Sequence, residues 1–90
     1  MEVNHLSDEA ELKQQLKAMI VERLFLKVAP EDIPDDVNLM ETYGVDSVNI
    51  FEIVVGLEDE FGISLAEEDF SIEAFATVNG IAELVDRKGG

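Results

Sequence analysis

Few side chains in this sequence are equipped for covalent chemistry, and Ser47 is the best placed of them. It stands in Gly44-Val45-Asp46-Ser47-Val48, where an apolar helical pattern begins within ETYGVDSVNIFEIVVGLEDEF, Glu41 to Phe61. A nucleophilic serine needs a base, usually histidine, within hydrogen-bond reach. The only histidine is His5, close to the N-terminus, no lysine lies near Ser47 in sequence, and the G-x-S-x-G elbow is absent. There is no cysteine, hence no thiol nucleophile, disulfide framework or thiolate metal site. The runs Asp35-Asp36 and Glu67-Glu68-Asp69 lack the D-x-[DN]-x-[DN]-G spacing of a calcium loop. As part of a dense acidic surface they are expected to bind divalent cations weakly at most. The chain does not read as an enzyme, and neither a catalytic residue nor a metal site is assigned.

What Ser47 has is position. At the first turn of a helix, free backbone N–H groups and the positive end of the dipole favour a phosphate. Gly44 can adopt backbone angles closed to other residues and so help a loop present the serine. Asp46 suits the N-cap, which by itself is a sufficient reason for an Asp-Ser pair. Two readings follow: a helix cap, or a hydroxyl that another enzyme modifies.

Four helices are expected to hold this segment. Residues 8–26 carry Leu12, Leu16, Met19, Ile20 and Leu24 at three- and four-residue spacing, with Asp8 and Glu11 as a capping box. KVAPEDIPDDVNLMETYG then reads as a long connection, punctuated by Pro30 and Pro34 and pinned by Ile33, Val37, Leu39 and Met40. The second helix spans 47–60, a short third 67–75, and a fourth 77–87 with Thr77 as its N-cap. No period-two alternation persists anywhere. The fold class is all-α: a small four-helix bundle with a short third helix and a long loop between helices one and two. Ninety residues make one domain, 1–90, with frayed ends.

The second helix has two faces. At ~100° per residue from Ser47, Ile50, Ile53, Val54, Leu57 and Phe61 fall between ~240° and ~340°, an ordinary core stripe. Val48, Phe51 and Val55 fall between ~40° and ~100°, interleaved with Glu52, Glu58 and Asp59. Apolar spots ringed by carboxylates suit a partner with an apolar groove rimmed by Lys and Arg. Phe51 serves such a face or contacts the third helix; Val48 and Val55 fit the partner face better.

Charge points the same way. Six Lys and Arg stand against 21 Asp and Glu, a formal net charge of −15, and no basic residue lies between Val28 and Asp86. Such a surface repels nucleic acid and anionic lipid and steers toward basic patches. The acidic N-terminus lacks a signal-peptide pattern, and no apolar run approaches the ~20 residues of a membrane span. A cytoplasmic monomer, with no membrane insertion, is expected.

Gly-x-Asp-Ser before an aliphatic residue, at the start of the second of four helices in a small acidic chain, resembles the acyl carrier proteins. The resemblance runs from about Leu12 to Val85 and includes GLEDEFGISLAEEDF and FATVNGIAELV. It implies that a phosphopantetheinyl transferase esterifies Ser47 with 4′-phosphopantetheine from coenzyme A, an arm whose thiol carries acyl groups as thioesters. It further implies that Asp46, Val48, Glu52, Val55, Glu58 and Asp59 face the transferase and the acyl-loading, elongating or transferring enzymes, through their basic docking patches. An apolar cleft for acyl chains is implied too, with Ile53, Leu57, Phe61, Ile72 and Phe75 as equal candidates for its lining or for plain core. Val48, Asn49, Tyr43 and Phe51 depart from the family's usual residues, the first two at the recognition edge. AEEDFSIEAFATV is about two residues longer than in housekeeping fatty-acid carriers, which is more like discrete carriers of polyketide, peptide or specialised lipid pathways.

Three alternatives stand beside this reading. One is a peptidyl or aminoacyl carrier, and another an acidic helical interaction module without a prosthetic group. The third starts from Gly89-Gly90, similar to the tails of ubiquitin-like and sulfur-carrier proteins, whose β-grasp sheet finds no strand pattern here.

Overall fold

The computed structural model describes residues 5–89, apart from the side chains of residues 5–9, 67 and 89. Four α-helices, α1 (His5–Leu24), α2 (Leu39–Tyr43), α3 (Ser47–Glu60) and α4 (Val78–Gly89), are joined with two 3-10 turns, Pro30–Asp32 and Glu67–Asp69. No strand occurs among the described residues. α1 packs on both α3 and α4. Leu16, Met19 and Ile20 of α1, Ile53, Val54 and Leu57 of α3, and Val78, Ile81, Ala82, Leu84 and Val85 of α4 close the core, with Phe75 between them. The three-and-four spacing read from each segment is thus the stripe that faces inward.

Gly56 sets how closely α1 and α3 approach. A Cβ there would run into Met19 Sδ and the Arg23 side chain. The glycine costs helix propensity of ~1 kcal/mol relative to alanine and gives close packing in return.

The helices differ from expectation at several points. α1 begins at His5, so Asp8 lies within it rather than capping it; its side chain and residues 1–4 lie outside the described residues, as does Gly90. α1 also ends two residues early, because Phe25 takes a left-handed conformation, φ 57°. The short helix expected at 67–75 is instead the 3-10 turn followed by a hydrogen-bonded turn over 72–75. Asp69 accepts from the Ala66 N–H (2.8 Å) and Ser71 Oγ from the Ala74 N–H (3.3 Å). These short polar side chains bind local backbone donors and cut the helix short. The extra short helix is α2, inside the long connection.

That connection is pinned. Ile33 and Leu39 are fully buried, and Val37 and Met40 pack beside them. Asp35 pairs with Lys17 (2.6 Å) and Lys13 (3.7 Å) of α1. Its carbonyl accepts from the Asn79 N–H (3.0 Å), and the Leu39 N–H donates to the Ala76 carbonyl (2.7 Å). The loop is therefore held against the start of α4, where Thr77 Oγ1 caps the helix by accepting from the Gly80 N–H at 3.0 Å.

Candidate functional site

α2 and its termini position Ser47. Asn38 Oδ1 caps α2 by accepting from the Glu41 N–H, 2.9 Å. Gly44 ends it in the left-handed region, φ 70°, with its N–H on the Met40 carbonyl, 3.0 Å. This reversal drives Val45 into the core and leaves Asp46 and Ser47 at the surface.

α3 then starts with a reciprocal cap. Asp46 Oδ1 accepts from the Asn49 N–H (2.9 Å), and Asn49 Oδ1 accepts from the Asp46 N–H (3.1 Å). Asn49, read as part of the recognition edge, thus turns back onto its own helix end. Ser47 is the first helical residue and exposed. Among the described side chains no lysine is bonded to it; Lys13, Lys17 and Lys88 are paired with Asp35 and Asp69.

The second stripe of α3 faces solvent. Val48 is 70% exposed, Phe51 60% and Val55 38%, and Glu52, Glu58 and Asp59 are exposed among them. α1 walls one side of it. Arg23 reaches across to Glu60 (3.1 Å), Asp59 (3.3 Å) and Glu52 (3.9 Å). Glu58 also binds inward, accepting from the Leu65 N–H at 3.2 Å. The acidic face therefore carries one cation of its own, which no local pattern in the sequence revealed.

On the other side a shallow groove of about 210 Å³ opens beside Ser47, between α3 and residues 70–72. Ile50, Phe51, Val54, Phe70 and Ile72 line it. Of the candidate cleft residues only Ile72 lies here. Ile53, Leu57 and Phe75 are sealed core, and Phe61 lies toward α1, beside Met19 and Glu60. Phe51 both lines the groove and remains exposed. Asp69 holds the groove's far wall: it pairs with Lys88 of α4 at 2.8 Å. That pairing, then the Ala66 N–H, keeps its carboxyl below the usual range. Asp35 is lowered likewise, first by its hydrogen bond with Lys17. Among the described residues no three His, Asp or Glu side chains converge on a metal site.

A capped helix start, an exposed serine at its first position and a mixed apolar and acidic face beside it define a carrier-type site. The profile of the Phosphopantetheine attachment site family matches residues 14–85, and the chain belongs to this family of acyl carrier proteins, whose prosthetic group is covalently held 4′-phosphopantetheine. Polyketide-8 synthase acyl carrier protein 2 of Streptomyces avermitilis is 37% identical over 78 residues, 87% of this chain and 85% of the relative. The acyl carrier protein of Zymomonas mobilis is 31% identical over 81 residues, 90% and 95% of the two chains. Among solved structures, the acyl carrier protein of Enterococcus faecalis superposes with a TM-score of 0.68 at 25% identity, covering 89% of this chain and 96% of that one.

The residues at the site fit the prosthetic group. The Ser47 hydroxyl is accessible, sits at the donor-rich end of a 14-residue helix, and adjoins an apolar groove.

Proposed function

We propose that Ser47 is the attachment residue and that Asp46, Val48, Glu52, Val55, Glu58 and Asp59 form the docking face for the enzymes that load and use the arm. The observation that carries this is the exposure of Ser47 at the capped start of α3, on the edge of a stripe whose apolar members Val48, Phe51 and Val55 are exposed. When bound, the arm supplies a terminal thiol for acyl thioesters. The chain's own residues hold and present: Gly44 and the Asp46–Asn49 cap fix the hydroxyl's position, and the carboxylates draw in a basic patch.

The protein on this reading is a non-catalytic carrier in the cytoplasm, a substrate of a phosphopantetheinyl transferase and then of acyl-loading, elongating or transferring enzymes. The similarity to a polyketide carrier and the lengthened segment before α4 favour a discrete, specialised pathway. The groove is smaller than the roughly 300–1,000 Å³ that drug-sized ligands fill, so a short apolar group is the cargo it suits, and longer chains stay largely outside.

The test is intact mass after incubation with a broad-specificity transferase, coenzyme A and Mg²⁺. Wild type is expected to gain one phosphopantetheinyl arm and Ser47→Ala none. No gain by wild type with any of several transferases would move the reading to the interaction module without a prosthetic group.

A further inference from the structure

Among the described residues Phe25 is the most exposed of the large apolar side chains, 85%, and it occupies a position that penalises it. It is the residue just past α1, φ 57°, and the Leu26 N–H reaches back to the Val21 carbonyl at 3.1 Å. That bond closes a Schellman-type helix end, whose left-handed residue is commonly glycine because a Cβ is strained there. The Leu26 and Val21 side chains are both partly buried against the core. The fold thus uses the turn but not the ring, and a phenylalanine that both strains the backbone and meets water points to a role outside the chain.

Its location suggests that role. Arg23, two residues before Phe25, lies against Gly56 and pairs with Glu52, Asp59 and Glu60 of α3. Phe25 therefore follows directly on the turn of α1 that borders the exposed stripe. Exposed carboxylates flank Phe25 in the sequence, Glu22, Glu31 and Asp32, with Arg23 and Lys27 as the neighbouring basic residues, and the chain as a whole carries a net charge of −15. That charge selects against an anionic membrane and for a protein pocket rimmed by Lys and Arg.

We infer that Phe25 is an anchor for the enzyme that loads Ser47, inserting its ring into an apolar pocket with a basic rim and extending the docking face from α3 onto the end of α1. This rests on Ser47 being the attachment residue. A buried aromatic anchor concentrates binding energy in one side chain.

The experiment is steady-state loading by the broad-specificity transferase, with coenzyme A and Mg²⁺, of wild type, Phe25→Gly, Phe25→Asn and Phe25→Trp, alongside thermal unfolding. Gly and Asn both tolerate the left-handed turn, so Tm is expected to hold or to rise by a few degrees. KM is expected to rise about tenfold for both, with kcat unchanged and Trp restoring KM. Unchanged KM in the Gly and Asn variants overturns the anchor while leaving attachment at Ser47 intact. Failure of wild type itself to be loaded overturns both. A fall in Tm in both variants, with loading lowered in proportion, would make Phe25 a structural residue and also overturn the proposal. Sedimentation showing a wild-type dimer that Phe25→Gly dissolves would assign the ring to a second copy of this chain instead.

Discussion

Asp46 caps α3 and, on the proposed function, also faces a partner, and substitution separates the two roles. Asp46→Ala removes the acceptor at 2.9 Å from the Asn49 N–H while leaving the Asn49 bond to the backbone of position 46 in place. The cap is exposed, so water replaces part of what is lost, and the cost is expected near 1 kcal/mol, within the usual 0.5–2 for such caps. For a domain of this size that lowers Tm by roughly 4–8 °C. Asp46→Asn keeps an oxygen at the same place and gives up only the charge at the helix start, about 0.3–1 kcal/mol at low salt. Its Tm should fall by less than that of Asp46→Ala, and added salt should shrink its loss relative to wild type. The double variant with Asn49→Ala should cost less than the two singles together if the bonds support each other. Far-UV circular dichroism melts at fixed salt read the first role, and transferase loading of the same samples reads the second. Near-wild-type stability in Asp46→Asn with raised KM would isolate the partner role. An Asp46→Ala variant melting with wild type would refute the capping argument, and an Asp46→Asn variant as unstable as Asp46→Ala would show that charge, not geometry, holds the helix start.

Other outcomes follow from the same structure. Gly44→Ala places a Cβ where no neighbour lies within 4 Å, so its whole cost is the strain at φ 70°, about 1 kcal/mol by Tm; a wild-type Tm would remove Gly44 from the account of how Ser47 is presented. Asp69 has its folded pKa held below 3.8 by Lys88. Its contribution is present above that value and lost as pH falls through the lower folded pKa. The Tm gap between wild type and Asp69→Asn should therefore be constant above about pH 5 and close as pH drops below 3.8; a gap that persists in acid would mean that the carboxylate's charge is not what holds the groove wall. With a net charge of −15, salt or divalent cations should raise Tm by screening self-repulsion, and a Tm indifferent to both would count against that.

What was legible in the sequence was what is decided locally. α3 needs only its cap and its own stripe, and the spacing from Ile50 to Phe61 and the Asp46-Ser47 start give both. The same holds for Thr77 at the start of α4. α2 left a local trace too, with Asn38 ahead of Leu39 and Gly44 behind Tyr43, but five residues with one buried side chain make no period. The end of α1 was hidden because Phe25 stands where glycine would have announced a stop. Segment 67–75 has a helical composition, yet Asp69 and Ser71 bind the backbone beside them, and the chain follows those bonds. Arg23 was out of reach altogether: its carboxylates lie on another helix, and only the packing of Met19 and Arg23 over Gly56 brings them together.

The ties on the long connection bear on timing. Asp35 and Leu39 hold the segment ahead of Ser47 by bonding to Asn79 and Ala76, which belong to the far half of the chain. During synthesis those acceptors and donors emerge late, after α3 has left the ribosome. The serine is then held in its final setting only once the first turn of α4 has been made and has docked, a non-local step. On the proposed attachment at Ser47, a chain halted before α4 is a poor substrate for modification at this position.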